Sequence, residues 1–145
     1  MFKHVLVATD GSPLSEKARL GAVQLAKSMS ARLTAVTVST PFHVFATDAA
    51  MLNDTEDVYN EDCKRRAKKY LRVIQTAAES SGLSFEGIHV FHDQPYAAII
   101  ETASNSGCDV ICMASHGRRG ITALVLGSET MKVLTHCKVP VVVWR

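Results

Sequence analysis

Asp109-Val-Ile-Cys-Met-Ala-Ser-His-Gly-Arg-Arg-Gly-Ile-Thr-Ala-Leu-Val-Leu-Gly-Ser-Glu-Thr-Met-Lys-Val-Leu134 decides how this chain is read. Asp109 to Met113 is a short apolar run with β-branched residues, the pattern of a buried strand. Glycines at 117, 120 and 127 then punctuate a loop, and Ser128 to His136 resumes with helical periodicity. Glycine lets a backbone approach a ligand closely. A helix start offers unpaired N–H groups and the positive end of a dipole. A strand, a glycine loop and a helix in that order make a phosphate site of the kind found in parallel α/β sheets.

The same alternation extends in both directions. Val5 to Ala8 is an apolar strand, ended by Asp10-Gly-Ser-Pro13, with the proline placed for a first helical turn. Leu14, Ala18, Ala22, Leu25, Ala26 and Met29 recur at helical spacing, and Leu33 to Val38 is a second strand. The segment from Ser39 to Asp54 is less regular. Its Phe42, Phe45 and Met51 read as core or interface, and the segment itself as a lid, a dimer contact or a mobile loop. Thr55 to Ser81 is a highly charged helix with Gly82 as its C-terminal cap. Ser84 to Phe91 is a third strand, interrupted at Gly87. A helix opens at Pro95 and ends at Gly107, and Pro140 to Trp144 is a fifth strand. Strands apolar on both faces, alternating with helices, predict one α/β domain over residues 1–145: an open five-stranded parallel sheet covered by helices on each side.

Composition narrows the function. The chain has 145 residues, 47% hydrophobic and 21% charged, as in an ordinary globular domain. A formal net charge of +2 is too small an excess to argue for nucleic acid. No apolar run approaches a membrane span, and the N-terminus reads as a strand rather than a signal peptide. Cys63, Cys108, Cys112 and Cys137 show neither CxxC pairing nor zinc-ligand spacing. A reduced, cytoplasmic protein is expected.

In open α/β sheets ligands sit beyond the carboxyl ends of the strands, where strand order reverses. Two loops carry suitable chemistry there: Asp10-Gly-Ser12 and Gly117 to Ser128. They share one crevice if strands one and four are neighbours. Asp10 then accepts from a ribose hydroxyl or holds a phosphate-bound cation, Gly117 and Gly127 let backbone amides reach phosphates, and Ser128 adds its hydroxyl. Each residue also has a plain structural reading: Asp10 as a turn or cap residue, Ser128 as an N-cap, Gly120 as a turn glycine. Arg118 and Arg119 suit a phosphate site or a solvated loop, and His116 a phosphate contact or packing at the loop base. The spacing of His89 and His92 matches no metal pattern.

From Lys3-His-Val-Leu-Val-Ala-Thr-Asp-Gly-Ser12 to Val139-Pro-Val-Val-Val143 the chain resembles the universal stress protein family over its full length. The nucleotide-binding branch of that family carries G-x2-G-x9-G-[ST]. Gly117, nine intervening residues, Gly127 and Ser128 match its later elements, and Ala114 stands at the first glycine. The resemblance implies a Rossmann-like sheet of the adenine nucleotide alpha hydrolase type, with strand order 3-2-1-4-5. It implies ATP as ligand, with or without Mg2+. Asp10 would face ribose and phosphates, Ala8 and Val38 the adenine, Met113 the base pocket, and Ala114, Gly117, Gly127 and Ser128 the phosphates. It also implies a homodimer through the last strand, and an unpaired edge as apolar as Val139 to Trp144 is an aggregation hazard on its own account. No nucleophile stands beside a general base and no Walker A lysine is present, so a binding or signalling module is expected rather than an enzyme. A nucleotide-free dimerisation or partner-binding module of the same family is the alternative, supported by Ala114. An adenylating ligase would need a Ser-Gly-Gly-rich loop after strand one, and Asp10-Gly-Ser12 is too short for that.

Overall fold

The structure, a computed structural model, describes residues 1–43, 49–117 and 126–145, with the backbone alone described for 49–54. In chain order the elements are β1 (His4–Ala8), α1 (Pro13–Met29), β2 (Arg32–Ser39), α2 (Ala49–Ser80), β3 (Phe85–Phe91), α3 (Pro95–Ser106), β4 (Val110–Ala114), α4 (Ser128–His136) and β5 (Val141–Trp144). The five strands form one parallel sheet in the order β3-β2-β1-β4-β5.

The sheet is buried on both faces at its centre because successive side chains point to opposite sides. Val5 and Val7 face a core with Ala22, Ile74 and Ala78 from α1 and α2. Leu6 faces the other core, with Ile99 and Val133 from α3 and α4. β1 and β4 are adjacent, with Val5 opposite Val110 and Val7 opposite Cys112, so the Asp10 and Gly117 loops leave the same point of the sheet edge.

Helix boundaries follow local chemistry. Ser12 caps α1, its hydroxyl accepting from the Ser15 amide at 3.2 Å with Pro13 in the first turn. Gly82, at φ +72°, ends α2 in the left-handed conformation that glycine adopts without strain. The Leu83 amide then closes back on the Ala78 carbonyl at 2.9 Å. Two expectations need correction. α2 starts at Ala49, not Thr55: the Ala-Ala-Met-Leu run is made of good helix formers, and nothing before Thr55 stops it. Nor does Gly87 interrupt β3, which is continuous. A Cβ at 87 would lie 3.3 Å from the Phe85 ring and 3.5 Å from Leu71 Cβ, so the glycine admits close packing of α2 on the strand.

At the end of the sheet remote from the glycine loop, His4 is buried and fully bonded. The Arg32 guanidinium, which can only donate, reaches Nδ1 at 3.2 Å, so the Nε2–H donates to Thr34 Oγ1 at 2.8 Å. Burial, reinforced by Arg32, lowers the pKa of His4.

Candidate functional site

A cavity of about 750 Å³ opens at the carboxyl ends of β1, β2 and β4. Ala8, Asp10, Val38, Met113, Ala114, Gly117, Gly127 and Ser128 all line it. The topology brings all eight together from four places in the chain.

Asp10 takes the turn role and lines the cavity as well. Its Oδ1 accepts the Ser12 amide at 2.9 Å, the side-chain turn that launches α1. Its Oδ2 faces Gly117: a Cβ added there would lie 2.7 Å from that oxygen. The two loops are therefore packed against each other, and Gly117 is small because Asp10 occupies the space a side chain would need. Gly11, at φ +73°, is constrained likewise, since the Tyr70 ring of α2 covers the position of its missing Cβ.

Gly127 departs from its expected role. Its amide is committed to the Ser115 carbonyl at 2.7 Å, so it is not free to donate to a phosphate. A Cβ at 127 would meet that same carbonyl at 3.1 Å. Gly127, not Ser128, is the N-cap of α4, and Ser128 is the first helical residue. Because Gly127 has no side chain to close the first turn, the amides of Ser128, Glu129 and Thr130 are the donors this helix start presents, aligned with its dipole. Thr130 fixes the turn from below: its hydroxyl is shared between the carbonyls of Ala114 at 3.0 Å and Ser115 at 3.2 Å. Ala114 is the last residue of a regular strand, opposite Trp144, where a methyl fits the extended backbone without strain.

Other residues of the wall escape sequence reasoning. Tyr59, Cys63, Arg66 and Tyr70 reach the cavity from α2, and Asp93 from the end of β3. The Tyr59 hydroxyl donates to the Thr40 carbonyl at 2.7 Å, and its ring packs on Phe42 with centroids 5.4 Å apart. Burial, with the Cys63 thiol beside it, raises the Tyr59 pKa. Spacing at one helical turn is the only signal these residues carried, and it reads equally as a core-facing stripe. His116 lines the cavity with its Nδ1 against Ser115 Oγ at 3.0 Å. His89 and His92 are engaged elsewhere, with Ser39 Oγ at 2.8 Å and the Gln94 amide at 2.9 Å. Arg118, Arg119, Gly120 and Phe45, with the side chain of Met51, lie outside the described residues.

The sequence profile of the universal stress protein family matches residues 1–145. The chain belongs to this family. A universal stress protein of Thermus aquaticus, encoded in the QAH/OAS sulfhydrylase 3′ region, is 30% identical over 145 residues, covering 100% of both chains. Methanocaldococcus jannaschii MJ0577 shares the fold of this universal stress protein with a TM-score of 0.81 at 24% identity, over 99% of this chain and 96% of the other. A universal stress protein solved in complex with cAMP matches with a TM-score of 0.68 at 26% identity, over 98% of this chain and 96% of that one. Among the described residues no helix is long and apolar enough to cross a membrane.

Proposed function

We propose that this universal stress protein binds an adenine nucleotide, ATP with or without Mg2+, in the cavity at the carboxyl edge of the sheet. It acts as a homodimeric, cytoplasmic stress-response or signalling module, not as an enzyme. The observation that carries the reading is the convergence of two loops and the start of α4 on one cavity. Apolar Ala8, Val38 and Met113 suit a base, and the first-turn amides of α4 suit phosphate. The relative solved with cAMP supports the same ligand class. The dimer pairs β5 with its copy: Val141 to Trp144 is an outer strand of half-buried apolar residues.

Titration calorimetry with Mg-ATP on the purified protein tests the nucleotide, and sedimentation at micromolar concentration tests the dimer. Binding raises the melting temperature by mass action, by about 2.7 kcal/mol of stability at a hundredfold excess over Kd. Gly127→Val abolishes binding, and Asp10→Ala weakens it more than Arg119→Ala does. One feature favours a second reading, a nucleotide-free dimerisation or partner-binding module: Ala114 stands where the nucleotide-binding pattern has its first glycine. No heat and no thermal shift at millimolar ATP would favour that alternative.

A further inference from the structure

Among the described residues, the lining of the cavity carries more carboxylates than cations. Among the described residues lining it, Arg66 is the only lysine or arginine, against the carboxylates of Asp10, Asp93 and Glu129. All three carboxylates are engaged, Asp10 by the Ser12 amide at 2.9 Å. Asp93 pairs with His43 at 2.5 Å, and Glu129 with Lys132 at 2.9 Å while also accepting the Tyr96 amide at 2.8 Å.

Arg66 itself is loosely held. Asp62 is shared between two arginines, and the close contact goes to Arg65. Arg66 Nη1 is left 3.4 Å from the other carboxylate oxygen, and its Nη2 rests 3.5 Å from the Cys63 sulfur. Both are long beside the roughly 2.7–2.9 Å of a good charge-assisted bond, and a thiol is a weak acceptor. The guanidinium fork therefore has little to lose by turning to a stronger anion.

Its place in the fold suits that. Tyr70 covers Gly11, and Asp10 beside it faces Gly117, so Tyr70 marks the junction of the two loops. Arg66 lies one turn earlier on α2, about 6 Å along the axis, within reach for a long side chain. The first turn of α4 offers donors for one phosphate group, and a longer phosphate chain needs a cation beyond it.

We propose that Arg66 is the specificity-determining residue by which the cavity reads phosphate number, holding the outer phosphates of a nucleoside di- or triphosphate. This deepens the nucleotide reading above and rests on it. The test is calorimetry with AMP, ADP and ATP, each without added metal, on the wild type, Arg66→Gln and Arg66→Lys. The wild type is expected to bind ATP more tightly than AMP. Arg66→Gln lowers ATP affinity by about ten- to a hundredfold, as expected for hydrogen bonds to charged groups, while AMP affinity stays within about threefold. Arg66→Lys keeps part of the preference, because it keeps the charge but loses the fork. An unchanged melting temperature of ligand-free Arg66→Gln shows that the fold is intact. Equal losses for ATP and AMP, no loss for either, or a wild type that binds both alike overturns the role of Arg66 and leaves the nucleotide site standing. A wild type that binds none of the three overturns the site and this role together.

Discussion

Gly21, in the interior of α1, should respond to alanine with a sign that depends on one distant residue. In an ordinary helix, Gly→Ala stabilises by about 0.8–1.0 kcal/mol through backbone entropy. Here a Cβ would fall on the Trp144 indole, against Cε2, Cζ2 and Nε1. That ring is a rigid bicycle on the last residue of β5, whose backbone is paired with Ala114, so it cannot step aside as a long flexible chain would. Overpacking of this kind costs about 1–3 kcal/mol. The clash wins, and Gly21→Ala is expected to destabilise by up to about 2 kcal/mol. In a Trp144→Ala background the clash is gone and the propensity term alone remains, so the same substitution should stabilise by about 1 kcal/mol. Urea unfolding followed by circular dichroism, at one protein concentration for all four proteins, measures the cycle. The predicted coupling is about 1–3 kcal/mol, well above the additivity error of about 0.5. Equal effects of Gly21→Ala in both backgrounds would refute the packing argument.

Other expectations follow from the hydrogen bonds and buried groups. Thr130→Val keeps the shape but leaves the carbonyls of Ala114 and Ser115 one donor short, and should lower stability by about 1–3 kcal/mol in the same urea assay. His4 has its folded pKa below 6.5, so the unfolded chain takes up a proton that the folded chain refuses. Its contribution is complete above pH 6.5 and is lost as pH falls below it. Urea midpoints at pH 5 and 7.5 should therefore differ, and differ less in His4→Gln. Burial pushes the thiols of Cys108 and Cys112 up to about 11 and about 12. At pH 8 iodoacetamide should leave both unmodified in the native protein while labelling the half-buried Cys137, as peptide mass mapping would show.

The sheet was legible because its central strands are apolar on both faces. Val5 to Ala8 and Asp109 to Met113 read as buried strands of a covered parallel sheet, and their adjacency follows only once the chain is seen to resemble its family. The start of α2 was hidden, since helix-forming residues before Thr55 carry no stop signal to compare against the turn-like Ser39 to Pro41. The site was half legible. The loops at Asp10 and Gly117 stand out as breaks after strands, whereas Tyr70 reads as part of the apolar stripe of a long helix and Arg66 as one of its many charged residues. No local pattern says that one side of that helix covers a cavity built by loops some fifty residues away on either side. The commitment of the Gly127 amide to Ser115 was likewise invisible, because it depends on the return path of the loop and not on the residues that flank it.

The meeting of Asp10 with Gly117, and of Gly127 with the Ser115 carbonyl, changes what the glycine signature reports. Gly117 lets the β1 and β4 loops close on each other and Gly127 lets the β4 loop close on its own start, whether or not anything lies between them and α2. A chain of this fold that held no ligand would need both glycines just the same, since an added methyl would meet the Asp10 carboxylate at 117 or the Ser115 carbonyl at 127. The signature is thus a record of how the crevice is assembled, and whatever tells one occupant from another must come from side chains, such as those of the facing helix.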